Sequence, residues 1–310
     1  MKNKKIIVCV PTYLRPIYLN RNLNSLIEQD FDYKYEIVVV DNDINQSAKS
    51  VVNKLNDSKI KLNYYTENKR GISAVRNKCI EACKEKNADY LIFIDDDEIA
   101  EKNWLKNLTK TAERYKAEVV SGPVLCKFEK EPSNAIQKVF FYRRRLETGS
   151  IIENCASGNV LINMDIFKER PHLTFNKNFN IMGGGDTYFF MQVRALGIKM
   201  IWCDEAVAHE FISYQRSKLK NLLLEQFQRG HSLFHIINNI DKSAQNLKYS
   251  SKSKTLFNII IINIRLLLYI LTLNKYKIYK NLSSLFGKSG FLLASLTGLK
   301  SNQYKKIFGK

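Results

Sequence analysis

The chain has 310 residues, 45% of them apolar, which is enough to bury a large core and excludes an intrinsically disordered protein. Its formal net charge of +19 is unevenly placed: residues 212–310 carry 17 Lys and Arg against Glu225 and Asp241, so the basicity belongs to the tail. A positive, apolar tail suits an anionic membrane surface, whereas a nucleic-acid binder needs Lys/Arg interleaved with aromatics on a recognisable module, a pattern the chain lacks.

Lys2, Lys4 and Lys5 precede an apolar run at 6–10 that Pro11 stops, too short for a signal peptide. The start therefore reads as a first strand, with any catalytic domain expected in the cytoplasm. Six cysteines without a C-x-x-C pair, mostly in apolar runs, fit reduced core residues. After Pro11, Thr12 and Tyr13, Arg15-Pro16 opens a helix carrying Leu19, Leu23, Leu26 and Ile27. A second strand at 36–40 ends in Asp41-Asn42-Asp43. A helical stretch with Val51, Val52 and Leu55 then leads to a short strand at 60–65, a turn at 68–71 and a helix at 72–86.

Tyr90-Leu91-Ile92-Phe93-Ile94 is a wholly apolar strand that delivers Asp95-Asp96-Asp97-Glu98 at its end. Four adjacent carboxylates repel one another. They are tolerated as a solvated turn or with a divalent cation among their oxygens, and the residues alone leave both open. Alternating strands and helices with polar clusters at the strands' carboxyl ends predict an open, mostly parallel α/β sheet. Such sheets bind ligands at that edge, so Thr12, Asp41, Asp43 and Asp95 to Asp97 are expected in one crevice.

Residues 126–154 show little periodicity and read as an acceptor-facing loop or a surface ribbon with a basic edge at 143–145. A strand follows at 157–162. Gly183-Gly184-Gly185-Asp186 lets backbone approach a ligand and places an acid at the start of a helix over 187–196, with Gly197 as its stop and a strand at 199–203. From 213 the pattern is helical, which divides the chain into an α/β domain, 1–212, and a basic helical region, 213–310. The run 255–273 is long enough to span a bilayer, but Asn258, Arg265 and Thr272 form a polar stripe. It reads as an interfacial helix, with 286–299 a shorter apolar segment and a packed core helix the alternative.

Seven stretches, in order, resemble family 2 glycosyltransferases of GT-A fold, and the finer pattern is similar to bacterial succinoglycan-type glucosyltransferases. They are Val10-Pro11-Thr12-Tyr13 with Arg15-Pro16; Val40-Asp41-Asn42-Asp43; Arg70-Gly71-Ile72 with Arg76-Asn77; Phe93 to Glu98 with Trp104-Leu105; Gly122-Pro123-Val124; Ser157 to Leu161; and Gly184-Gly185-Asp186-Thr187. The resemblance covers 6 to about 230. It implies a Rossmann-like, mostly parallel sheet and an inverting transferase moving a hexose from a nucleotide diphosphosugar, taken as a UDP-sugar, to a saccharide or lipid-linked oligosaccharide. The setting implied is surface polysaccharide synthesis, peripheral on the inner face of the cell membrane.

By the same resemblance, Pro11, Thr12 and Tyr13 lie beside the nucleoside, Asp41 with Asp43 meets the base, and Arg70 and Arg76 approach the diphosphate. Asp95 and Asp96 belong to the donor site, Asp95 toward the ribose, and Asp97, with Asp95, holds Mn²⁺ or Mg²⁺. His209 would offer a third metal contact, with a surface histidine beside the acid Glu210 as the alternative. Asp186 is the expected general base. Gly185 stands where the family usually has Glu, and Gly184, Gly185, Gln226 and Arg229 are placed near the acceptor or diphosphate. His231 and His235, at i,i+4, have no accompanying Cys or carboxylate. A processive synthase would need several clear membrane spans, and a non-enzymatic nucleic-acid binder rests on charge alone.

Overall fold

A computed structural model describes residues 3–56, 58–239 and 252–299. In chain order its strands are β1 (Ile6–Thr12), β2 (Tyr35–Asp41), β3 (Lys61–Thr66), β4 (Tyr90–Phe93), β5 (Glu98–Ala100), β6 (Val119–Ser121), β7 (Val124–Phe128), β8 (Ile151–Ile152), β9 (Val160–Asn163), β10 (Met200–Trp202) and β11 (Ala208–Ile212). The helices are α1 (Pro16–Ile27), α2 (Lys49–Lys54), α3 (Ile72–Glu85), α4 (Trp104–Tyr115), α5 (Asn134–Ile136), α6 (Asp165–Glu169), α7 (Gly185–Ala195), α8 (Leu219–Asn239), α9 (Lys252–Leu271) and α10 (Lys275–Thr297). The lysines at 242, 248, 300, 305, 306 and 310, part of the predicted basic tail, lie outside the described residues.

β1 is buried along its whole length because strand side chains alternate between two covered faces. Ile6, Val8 and Val10 meet Leu19, Leu23 and Leu26 of α1 and Trp104 of α4. Ile7 and Cys9 meet Val75, Cys79 and Cys83 of α3 and Phe189, Phe190 and Val193 of α7. Two helical layers therefore enclose an eight-stranded sheet of order β3-β2-β1-β4-β9-β6-β10-β8. β3, β2, β1 and β4 run parallel, but β9 is antiparallel to both β4 and β6, and β8 is antiparallel to β10. The strand predicted at 157–162 thus divides the sheet into two parallel groups.

A second sheet, β5-β11-β7, was not expected. It takes β7 from the stretch read as irregular, and Asn134–Ile136 there continues into a turn of π-helix, Gln137–Phe141. Beyond β11, α8 seats Ile236 against Phe179, Met182 and Tyr188, and Leu222 and Leu223 against Phe140. α10 packs along α8, and α9 packs along α10. α9 buries Ile262 and Leu266 and exposes Leu256, Ile260, Ile264, Leu267 and Leu271. Among the described residues, 254–271 is the one helical segment long and apolar enough to cross a membrane by length and composition.

Candidate active site

The carboxyl ends of β1 and β4 open onto a cleft of about 300 Å³. Its walls include Pro11, Thr12, Tyr13, Asn42, Arg70, Arg76 and Asp95 to Asp97, closed by Glu210 of β11, Arg216, and Asn221, Glu225 and Gln228 of α8. The acidic turn is fixed from beneath. Asn22, on the buried face of α1, donates to the carbonyls of Asp95 and Glu98 at 3.1 and 2.8 Å. Glu98 is buried and accepts from the Asp95 amide at 3.1 Å. A side chain at Gly158 would overlap the Glu98 carboxylate, so the glycine before β9 makes room for it.

Arginines interleave with these acids. The Arg15 guanidinium lies 3.2 Å from Asp96 and 3.0 Å from Asp97, and Thr12 donates to Asp96 at 2.7 Å. Arg216 bridges Glu210 at 2.8 Å and Asp97 at 3.7 Å, while Arg76 reaches Asp95 at 3.3 Å. Arg70 stacks over the Tyr13 ring. Burial, then Asp96 and Glu210, push the Asp97 carboxyl up to about 7 against the pull of Arg15. Burial also raises Asp96 and, with Asp95 and Asp97, raises Glu98 well above the usual range. Arg216 is raised despite its burial because Glu210 and Asp97 face it.

Five carboxylates, Asp95 to Asp97, Glu98 and Glu210, are thus only partly neutralised by Arg15, Arg76, Arg143 and Arg216. Hard oxygen donors with excess negative charge fit a divalent cation that shares its coordination with phosphate. Among the described residues no three acidic, His or Cys side chains form a ready-made metal cage, so any ion here completes its shell with ligands other than side chains.

The predicted residues fall in three groups. Pro11, Thr12, Tyr13, Arg70, Arg76, Asp95, Asp96 and Asp97 share the cleft. Asp41 and Asp43 do not line it. Asp41 is fully buried and accepts from the Asp43 and Ala48 amides and the Tyr64 hydroxyl, at 3.0, 2.8 and 2.9 Å. Asp43 accepts from the Asn45 and Ser47 amides. Their carboxylates shape the β2 turn, and the neighbouring Asn42 lines the cleft instead, accepting from the Gly71 amide. His209 is likewise displaced. Strand alternation sends Glu210 into the cleft and turns His209 to Glu101, 2.8 Å away, outside the lining of the cleft that holds Asp97.

Asp186, Gly184, Gln226 and Arg229 line a second cavity of about 750 Å³, and Glu225 lines both cavities. α7 starts from Gly184 at φ +82°, so Asp186 sits inside the first turn and accepts from the Thr187 amide rather than capping the helix. Gly185 is buried against Ser73 and lines neither cavity.

A family model described as "Glycosyl transferase family 2" matches residues 7–170, more than half the chain. The chain belongs to glycosyl transferase family 2. It is 28% identical over 236 residues to the succinoglycan biosynthesis protein ExoM of Rhizobium meliloti (strain 1021), covering 72% of each chain. TarS residues 1–349 of S. aureus in complex with UDP superimposes with a TM-score of 0.55 at 16% identity, covering 95% of this chain and 92% of that one. The mannosyltransferase PcManGT of Pyrobaculum calidifontis, in complex with GDP-Man and Mn²⁺, gives 0.65 at 15% identity over 95% and 88% of the two chains. These identities speak for a shared fold alone. The chain is therefore a glycosyltransferase with the GT-A architecture, and its acidic cleft stands at the sheet edge where α/β folds take ligands.

Proposed function

We propose that this glycosyltransferase inverts the anomeric centre as it moves a hexose from a UDP-sugar to a saccharide carried on a lipid, during surface polysaccharide synthesis. The observation that carries the reading is a pair of cavities that share Glu225 in their walls, one bounded by Asp95 to Asp97 and the arginines, the other by Asp186. In the first, Tyr13 and Arg70 offer a stacked wall to the nucleoside, and Arg76 a guanidinium to the diphosphate. The carboxylates of Asp95 and Asp97 would hold Mn²⁺ or Mg²⁺, which neutralises charge on the departing nucleoside diphosphate. Asp186 takes the proton from the acceptor hydroxyl, which enters through the second cavity.

Support for UDP comes from the TarS complex and for a divalent cation from the PcManGT complex, each stated of those proteins. Residues 1–212 are read as the catalytic domain and 213–310 as its membrane-facing part, although α8 also walls the donor cleft. The exposed apolar face of α9 and the basic tail support a peripheral position on the cytoplasmic face of the membrane. Nucleotide release from UDP-hexoses with Mn²⁺ tests the chemistry. Wild type turns over, and Asp97→Ala and Asp186→Asn each lose about a hundredfold or more. Full activity in either variant removes the role given to that residue.

A further inference from the structure

The second cavity extends past Asp186 to a wall no sequence motif marks, the face of α10 carrying Lys280, Ser284 and Lys288. The place of that wall is set by backbone. A side chain at Gly230 of α8 would overlap the Gly287 carbonyl, and one at Gly290 of α10 would overlap the Phe227 carbonyl. The two helices therefore touch without intervening side chains, which holds the α10 lysines across the cavity from Arg229. Arg229 is paired with Glu225. Among the described residues neither Lys280 nor Lys288 has a carboxylate partner, and Lys288 is half-buried.

Three cations thus face two acids in this cavity, and one of those acids, Asp186, needs only a neutral hydroxyl beside it. Two ammonium groups two turns apart on one helix, Lys280 over the Tyr276 ring and neither neutralised by a carboxylate among the described residues, suit a multiply charged anion. α9, which packs on the same α10, exposes its apolar stripe nearby in the fold. We propose that Lys280 and Lys288 bind the diphosphate of a lipid-linked acceptor, so that its sugar points toward Asp186 and its hydrocarbon chain toward α9. This rests on the function proposed above and names the part of the acceptor that the site holds.

The test uses full-length protein in non-ionic detergent, with saturating UDP and Mg²⁺ filling the donor cleft, and follows melting temperature against farnesyl diphosphate or farnesol. Wild type is expected to be stabilised saturably by farnesyl diphosphate and not by farnesol. Lys280→Gln/Lys288→Gln should need at least about tenfold more farnesyl diphosphate, as expected for losing charge-assisted bonds. Lys280→Arg/Lys288→Arg should keep the response, and a UDP-induced shift equal to wild type shows that each variant is folded. Equal midpoints for wild type and the Gln variant, or equal responses to farnesol and farnesyl diphosphate, overturn the proposal. So does a Gln variant that loses binding to phosphatidylglycerol vesicles while keeping its farnesyl diphosphate response, since the lysines then hold bulk headgroups. If UDP fails to stabilise wild type, the donor reading falls instead, whatever farnesyl diphosphate does.

Discussion

Asp97 carries the conflict between stability and chemistry at this site. Its carboxyl, pushed up to about 7 by burial and by Asp96 and Glu210, is held protonated by the fold at a pH where the unfolded chain ionises it. The folded state therefore binds the extra proton between about pH 4 and 7, and stability falls as pH rises through that window. Melting temperatures without added metal should drop from pH 5 to 8 in wild type and drop less in Asp97→Asn. The variant should be the more stable protein at pH 8 and inactive with UDP-sugars. A variant that is less stable than wild type at pH 8 would mean that the pairs with Arg15 and Arg216 outweigh the crowding. Gly158 tests the same turn from below. Gly158→Ala forces its methyl onto the Glu98 carboxylate and should cost about 1–3 kcal/mol in urea unfolding, with loss of the UDP-induced stabilisation. Undiminished UDP binding would separate Glu98 from the donor site.

At the scale of elements, the parallel half of the sheet was legible because its strands are short apolar runs, each ending in polar residues that cannot stay in the core. That logic located the acidic turn and Thr12, yet it overreached at Asp41, where local amide donors capture the carboxylate, and at His209, where a one-residue step changes the face. Arg216 lies on a connecting segment with no periodicity, so nothing local announced its bridge between Asp97 and Glu210. Asn22 did leave a signal, a polar residue on the apolar stripe of α1. The antiparallel β9 and the small second sheet depend on long-range pairing, which strand composition does not encode. The same holds for the α8–α10 contact, invisible until Gly230 and Gly290 are seen against opposing carbonyls. Gly290→Ala should therefore lower stability by about 1–3 kcal/mol, whereas Gly197→Ala, whose side chain meets open space, should cost only about 1–2 kcal/mol from its φ of +78°. Equal midpoints for Gly290→Ala and wild type would show that the helices can part freely.

For the molecule as a whole, the outer face of α9 is the largest apolar feature the fold leaves uncovered on a described helix. A soluble protein gains nothing from Leu256, Ile260, Ile264, Leu267 and Leu271 in water, since each leaves uncovered apolar surface worth about 1.5–3 kcal/mol if buried. α9 is fixed to α10 through Ile262 and Leu266, so the exposed stripe can enter a lipid interface without unfolding any other contact. At the anionic membrane proposed above, the tail's positive charge would add a longer-range attraction that salt weakens, while insertion of the stripe would be insensitive to salt. Two separable effects follow. Ile260→Ser/Ile264→Ser/Leu267→Ser should reduce sedimentation with anionic vesicles at least about tenfold at any ionic strength, because several buried CH₂ groups are lost at about 0.8 kcal/mol each. Its melting temperature in solution should fall by no more than a few degrees, because more than half of each of those residues is exposed. Raising salt should weaken wild-type binding without abolishing it. Vesicle binding unchanged by the three serines would mean that charge alone brings the enzyme to the bilayer and that the stripe covers another protein.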